Sequence, residues 1–363
     1  MIYKAYGSTG KQISAIGFGG MRFPDPQNID SNAELVRYAH QKGITYFDTA
    51  PGYCADRSEE IVGAAIKDFK SGTFYVSTKC SSPDGGELRK SLERSLKRLG
   101  VPKIHFFHIW CLMRPEDWGQ RVAGGAVAAA FKAKEEGLIE HVVFSSHMAG
   151  EDIRALLKRE PLDGVTLGYC AINFPFRQAG VDGAGELNRG VVTMNPLGGG
   201  LIPQNAARLD FLRGPNDRSV VEAALRFNIS QPAITSALVG FSSQQQVDEA
   251  CAVLENFTPY SAAHNEAVRA KVVKEFNGLC TGCGYCLPCP SGVEIPKMMD
   301  SYNQHLLNGM RMQDRLKWHW SLSPSNAEAC SECGLCEEKC TQHLPIRERL
   351  KFILDSIQPD TQG

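Results

Sequence analysis

The 363-residue chain carries 39 Lys and Arg against 40 Asp and Glu, a formal net charge of −1, so neither nucleic acid nor an anionic membrane surface is an expected partner. A hydrophobic fraction of 43% can fill a large core, and the length suits one barrel-sized domain with a small appendage. No apolar run approaches the ~20 residues that span a bilayer. Met1 to Tyr6 leads straight into polar, turn-rich sequence without a secretion core or twin arginine, so a cytoplasmic location is expected. Eight of the 13 cysteines sit in two tight runs near the C-terminus, which points to metal rather than to disulfides.

Residues 1–20 read as a hairpin and first strand, with the turn Gly7-Ser8-Thr9-Gly10 and apolar Ile13, Ile16 and Phe18. From there a strand–helix unit recurs. The first helix opens at a Ser31-x-x-Glu34 capping box, buries Leu35, Val36 and Ala39, and stops at Gly43. The strand after it ends on Asp48, and a Pro51-Gly52 turn sets Tyr53 on the following loop. Ile61, Val62, Ala65, Ile66 and Phe69 recur at helical spacing, and the next strand closes on Lys79. Leu88, Leu92, Leu96 and Leu99 form one helical stripe that ends at Gly100, and a further strand closes on His108. A fourth helix ends at Gly137, ahead of strands over 139–146, 165–170 and 191–197. A Ser219-x-x-Glu222 box opens a helix with Ala224 and Leu225 before a strand over 234–241. The last helix of this part starts at Ser243-x-x-Gln246 and buries Val247, Ala250, Val253 and Leu254. Such regular alternation implies parallel strands with crossover helices. About eight strands favour a closed (β/α)8 TIM barrel over 1–260. No Gly-x-Gly-x-x-Gly follows the first strand, which argues against a Rossmann domain.

The character changes over 261–363. Cys280-x-x-Cys283-x-x-Cys286-x-x-Cys289-Pro290 comes first, and Cys330-x-x-Cys333-x-x-Cys336-x-x-x-Cys340 follows. Three thiolates spaced by two residues wrap one face of a cubane, and in two-cluster ferredoxins the fourth cysteine of each run serves the other cluster. On that pattern one [4Fe–4S] cluster takes Cys280, Cys283, Cys286 and Cys340, and the second takes Cys330, Cys333, Cys336 and Cys289. Zinc is the alternative, since paired Cys-x-x-Cys units also suit tetrahedral sites. The first run is one residue short before its fourth cysteine, and Thr341 stands where a proline usually follows, which bears on the cross-ligation more than on the number of clusters. Helical segments lie between the runs, including Pro296 to Met299 and Trp318 to Trp320. Ile346, Leu350, Ile353, Leu354 and Ile357 give the tail a docking face.

Asp48, Tyr53, Lys79 and His108, carried in that order by consecutive units, resemble the catalytic tetrad of the aldo-keto reductase superfamily. The segment between the cysteine runs resembles the α-helical ferredoxin modules. Together the two parts resemble the iron–sulfur branch of that superfamily, over nearly the whole chain. The resemblance implies an oxidoreductase in which Tyr53 is general acid or base toward a small carbonyl or alcohol substrate. Asp48 would hold Lys79 charged, Lys79 would lower the Tyr53 pKa, and His108 would orient the substrate oxygen. Each residue alone could equally form an ordinary salt bridge or core phenol.

In that superfamily a nicotinamide dinucleotide lies across the barrel mouth, its phosphates against the loops after the last two strands. The matching stretches are Pro196-Leu197-Gly198-Gly199-Gly200 and Gly240-Phe241-Ser242-Ser243. Ser146-His147 replaces a Ser-Asn pair, Thr166 a glutamine and Met194 a stacking tyrosine. Gly240 and Gln246 stand where cations usually meet a 2′-phosphate. NADP is therefore disfavoured, leaving NAD(H) or no nicotinamide at all. Three readings follow: an NAD(H)-linked carbonyl reductase whose clusters exchange electrons with a redox protein partner or serve as structure; a nicotinamide-independent reductase or acid–base lyase; and a non-catalytic redox-sensing barrel. Phe174, Phe176, Trp110 and Trp118 suggest an aromatic-lined pocket or ordinary loop packing. Cys54, Cys80 and Cys111, close in sequence to the tetrad, read as core filling or as redox-sensitive thiols.

Overall fold

The computed structural model describes residues 1–276 and 278–356. A hairpin of β1 (Tyr3–Ala5) and β2 (Gln12–Ser14) precedes eight parallel strands that close on themselves. These are β3 (Ile16–Gly19), β4 (Tyr46–Asp48), β5 (Tyr75–Cys80), β6 (Ile104–Leu112), β7 (Ile139–Ser146), β8 (Gly164–Gly168), β9 (Gly190–Met194) and β10 (Ser236–Val239), each paired with its neighbour in sequence and β10 closing on β3. At least one helix fills every crossover. The (β/α)8 barrel expected from the alternation is what forms.

Period-two alternation decides which side chains look inward. Phe47 and Val76 face the helices and join the large apolar layer between strands and helices, whereas Tyr46, Phe106, Val143, Val192 and Leu238 fill the barrel interior with Tyr6 and Ile13 of the hairpin. Tyr6 packs so closely on β9 that a Cβ at Gly190 would overlap its ring. That end of the barrel is sealed, and the opposite end, where the strands finish, is left for chemistry.

Three local features depart from the sequence reading. The first helix spans Ile29–Gln41 and is capped by Asn28, whose side chain accepts from Ser31 N at 3.1 Å, so Ser31 lies inside the first turn. Asparagine caps as well as serine, and the chain enters the helix three residues earlier. The fourth helix is two, Pro115–Ala123 and Ala126–Glu135, broken at Gly124-Gly125, where Gly125 has φ 85°. Strand β6 continues past His108 to Leu112, with a register shift beyond Ile109 and Cys111 at φ 62°.

Beyond the barrel, helix Ala262–Glu275 lays Val268 and Val272 into the barrel's apolar layer, joined by Phe276, Leu279 and Leu307. A separate core gathers Ile295, Met298 and Met299 of helix Ile295–Asn308, Met312 and Leu316 of helix Met312–Trp320, and Ile346, Leu350 and Ile353 of helix Ile346–Asp355. Leu354 packs at its edge, and Ile357 lies outside the described residues. Among the described residues no helix is long and apolar enough to cross a membrane.

Candidate active site

Parallel pairing of β4 with β5 sets Asp48 beside Ser77, and Lys79 follows one pleat further along the same inward face. Lys79 Nζ donates to both Asp48 oxygens at 2.6 Å and to Thr49 O at 2.8 Å, while Ser77 Oγ donates to Asp48 Oδ2 at 2.5 Å. Lys79 and Asp48 are only 3% and 4% exposed. Burial draws the lysine below its ordinary pKa, and the Asp48 charge opposes that shift.

Tyr53 stands on the loop after β4, its ring 5.4 Å from Lys79 Nζ and edge-on to Trp110 at 5.7 Å. Cys54, Ala55 and Asp56 all take left-handed φ of 53–66°, a conformation that costs a non-glycine residue roughly 1–3 kcal/mol. Asp56 holds the turn by accepting from Gly52 N at 2.8 Å and from Arg98 at 2.7 and 2.9 Å. The pKa of Tyr53 moves the opposite way from the sequence expectation. Burial first, then the Asp48 charge, push the phenol well above its ordinary value, because the ammonium that should lower it is already matched by a carboxylate.

His108 stands at the level of Lys79 but does not line the cavity. It is paired with Lys79 across β5 and β6, is 0% exposed, and has Nε2 3.9 Å from Asp48 Oδ2. Burial, then Lys79, keep the imidazole neutral, and neither ring nitrogen has a hydrogen-bond partner at normal geometry. Strand β6 runs on past it, and Trp110 there meets the edge of the Tyr53 ring.

A cavity of about 100 Å³ opens above the Asp48–Lys79 pair. Barrel residues Asp48, Tyr53, Lys79, His147, Thr166 and Met194 line it, as do Thr281, Cys283 and Tyr285 of the cysteine-rich segment. Thr166 Oγ1 and His147 Nδ1 are buried on its wall without partners, and burial with nearby Arg177 and His343 holds His147 neutral, its pKa about 3. A groove of about 430 Å³ adjoins the cavity through Arg22, Asn195, Leu238 and Gly240. Pro196, Leu197, Gly199, Gly200, Gln246 and Glu249 line the groove.

Other proposed cofactor contacts are committed elsewhere. Ser146 Oγ bonds Leu112 O at 3.2 Å and Met148 N at 3.0 Å. Phe241 is core, 5.3 Å from Phe18, and the N–H and hydroxyl of Ser242 both serve Gln246 Oε1 at 2.8 and 3.0 Å. Gly198 faces a second space shared with the cysteine-rich unit. The N–H groups of Gly198 and Gly200 donate to Asn195 O and Leu197 O, so the glycine loop offers fewer free donors than its composition suggests.

The eight cysteines gather in two places. Cys280, Cys283, Cys286 and Cys340 share one small cavity; Cys289, Cys330, Cys333 and Cys336 share a second, whose wall Cys286 also touches. Burial pushes Cys280 and Cys286 up to about 12, so their sulfurs become thiolates only against a strongly positive partner such as iron. Gly282 N and Leu344 N donate to Cys280 Sγ and Cys340 Sγ, each at 3.4 Å. Cys54 and Cys111 are pushed above the ordinary thiol value by burial, Cys111 to about 11, which favours packing over redox reactivity. Of the four aromatic residues, only Trp110 meets the site; Trp118 is buried on Glu160, Phe174 packs on Phe227, and Phe176 lies outside against His343.

Sequence reasoning missed Arg22, Asn195, Glu249, Thr281 and Tyr285. Trp110 was among the candidate pocket aromatics; nothing local marks Thr281 or Tyr285.

A family model described as the aldo/keto reductase family matches residues 15–272, and one described as a 4Fe-4S dicluster domain matches 279–345. The chain is 26% identical over 279 residues to L-galactose dehydrogenase of Arabidopsis thaliana, covering 68% of this chain and 86% of that protein. It is 27% identical over 211 residues to a probable aldo-keto reductase 1 of Glycine max, covering 54% and 59%. The fold matches the holo form of aldo-keto reductase AKR11C1 from Bacillus halodurans with a TM-score of 0.65 at 22% identity, over 74% of this chain and 96% of that one.

Proposed function

This chain belongs to the aldo/keto reductase family and carries a C-terminal 4Fe-4S dicluster domain, and from that premise we propose that it reduces a small carbonyl compound, or oxidises the matching alcohol, in the cavity above Asp48 and Lys79. Family membership sets aside the non-catalytic barrel, and the dicluster match sets aside zinc. One observation carries the proposal: Thr281, Cys283 and Tyr285 share a cavity with Tyr53 and Lys79, so a cluster on the first cysteine set lies against the proton-transfer site.

Tyr53 holds its proton throughout the neutral range and releases it to a substrate oxygen only as that oxygen becomes alkoxide. Lys79 then faces a phenolate, and its charge stabilises that product. Asp48 and Thr49 O keep the ammonium aimed with three hydrogen bonds. Cys280, Cys283, Cys286 and Cys340 would hold one [4Fe–4S] cluster and Cys289, Cys330, Cys333 and Cys336 the other, supplying single electrons.

Nicotinamide fits the cavity on two counts. The orphaned Thr166 Oγ1 and His147 Nδ1 match the donors and acceptor of a carboxamide, and the adjoining groove of about 430 Å³ offers space beside it for further parts of a dinucleotide. Bound there, NAD(H) would supply a hydride. On the groove wall Glu249 opposes a 2′-phosphate and Gln246 brings it no charge, which favours NAD(H) over NADP(H), with Arg22 the cation on the same wall. The nicotinamide-independent reading is favoured by a different observation: a Cβ at Gly199 would overlap Thr281 O, so the cysteine-rich segment presses on the loop that would have to admit phosphates.

The test is a titration of anaerobically purified holoprotein with NADH and NADPH, alongside the Tyr53→Phe variant. Saturable NADH binding with turnover lost in Tyr53→Phe supports the proposal. Full turnover without Tyr53 removes it, and turnover driven by reduced clusters with no NADH binding selects the second reading.

A further inference from the structure

Arg177 is the largest fully buried side chain among the described residues, at 0% exposure, where the barrel meets the cysteine-rich unit. Its Nη2 donates both to His147 O at 3.2 Å, on the cavity wall, and to Thr341 O, beside Cys340. Its Nε and Nη1 have no partners, and among the described residues no carboxylate lies within 4 Å of it. The sulfurs near it are those of Cys170, which burial keeps a neutral thiol, and of Cys340, a proposed cluster ligand. Arg349 approaches the same place from helix Ile346–Asp355. It is 7% exposed, stacked at 4.6 Å on Tyr302, with Nη1 unpartnered. Its Nη2 lies against Gly278, two residues before Cys280, with the Cys280 and Cys340 sulfurs nearby, and the negative group near it is exposed Glu348.

A guanidinium taken out of water without a counter-charge is strongly destabilising, and here two such groups flank one set of sulfurs. Four thiolates around an iron–sulfur core leave a net negative charge, which grows on reduction. The second cysteine set is treated differently. The arginine on its wall, Arg347, is exposed and already neutralised by Glu337 Oε2 at 2.8 and 3.0 Å, and exposed Lys339, which lines the cavities of both sets, is screened by solvent.

We propose that Arg177 and Arg349 are the built-in counter-charges of the cluster held by Cys280, Cys283, Cys286 and Cys340, one supplied by each part of the chain, and that they raise the reduction potential of that cluster and not of the other. Net charge and hydrogen bonding at the sulfurs are the protein's levers on such potentials. Both arginines are positioning residues. Arg177 also ties the cavity wall to the cluster strand through a single nitrogen, so the tuning charge is part of the site's scaffold. The inference rests on the cluster assignment made above.

The experiment is an EPR-monitored redox titration of the anaerobic full-length holoprotein, with iron and sulfide content measured on the same samples, for wild type, Arg177→Gln, Arg177→Lys, Arg349→Gln and Cys340→Ser. In Arg177→Gln and in Arg349→Gln the same one of two midpoints falls by ~59 mV or more, a tenfold change in the reduced-to-oxidised ratio of a one-electron couple. The other midpoint stays in place, and Arg177→Lys retains most of the wild-type value. Should Arg177→Gln fail to fold, Arg349→Gln and Arg177→Lys still decide. Unmoved midpoints with full iron content, or two variants that move different clusters, overturn the inference while leaving the cluster assignment intact. A Cys340→Ser variant that disturbs the cluster insensitive to Arg349, or a wild type holding fewer than two clusters, overturns the assignment and the inference with it.

Discussion

Lys79→Met removes one half of a buried ion pair, and the structure sets the size of the loss. At 2.6 Å and an effective dielectric of about 20, the attraction between Lys79 and Asp48 is about 6 kcal/mol, largely offset by the desolvation of two ions. Taking away the ammonium leaves Asp48, 4% exposed, with only the Ser77 hydroxyl among its side-chain partners. An uncompensated buried charge of this kind costs about 3–5 kcal/mol. Asp48→Asn strands the lysine in the same way. The double variant removes both charges, so it should lie within about 2 kcal/mol of wild type, with a coupling energy of at least about 4 kcal/mol. Urea unfolding of the anaerobic holoprotein, followed by tryptophan fluorescence in which Trp118, 2% exposed, reports on the barrel, gives the three differences. All three variants should lose turnover, because each removes the arrangement behind Tyr53. Single variants within about 1 kcal/mol of wild type, or losses that simply add, would refute a pair buried together.

The pH profile of carbonyl reduction should show no acid limb from His108 or His147, since burial keeps both neutral, His147 down to about 3. Its first alkaline limb should belong to Lys79, whose pKa is drawn down, and not to Tyr53, whose pKa is pushed up; Tyr53 stays protonated, hence active as an acid, to higher pH. A limb that moves with substitutions around the tyrosine but not around the lysine contradicts this. Gly199→Val, at φ 69° and against Thr281 O, should loosen the contact between the glycine loop and the cysteine-rich segment, seen as faster proteolysis near Thr281. Trp110→Ala removes an edge contact worth about 0.5–1.5 kcal/mol, so kcat/KM should fall roughly two- to tenfold, and unchanged kinetics would take Trp110 out of the site. NADH should bind at least about tenfold more tightly than NADPH, and Glu249→Lys should narrow the gap by removing a charge that opposes the phosphate.

Much of the architecture was legible because its signals are local. A strand with Phe47 and Val76 outward and Tyr46 inward is readable from alternation, and a helix start needs only a capping side chain within a turn. Even the misplaced first cap was a local matter, Asn28 doing at one site what Ser31 could have done three residues later. Spacing within each cysteine run likewise needs no distant partner. The helix Gln178–Glu186, in contrast, carries glycines at 180, 183 and 185 and gave little periodic signal; it forms because small residues let it lie close to its neighbours.

By itself the sequence determined the strand–helix rhythm, the opening hairpin and the two cysteine runs, since these follow from residue spacing over a few turns of chain. Only the tertiary structure decided what faces the cavity. The length of β6 put Trp110 against the Tyr53 ring while His108 stayed off the cavity wall, because neighbouring strands set where a strand stops. Long-range docking brought Thr281, Cys283 and Tyr285 over Tyr53 and buried Arg177 beside Cys340. The sign of the Tyr53 shift came from the same source: burial and the charge of Asp48 depend on everything packed around the phenol, and no spacing rule contains that sum.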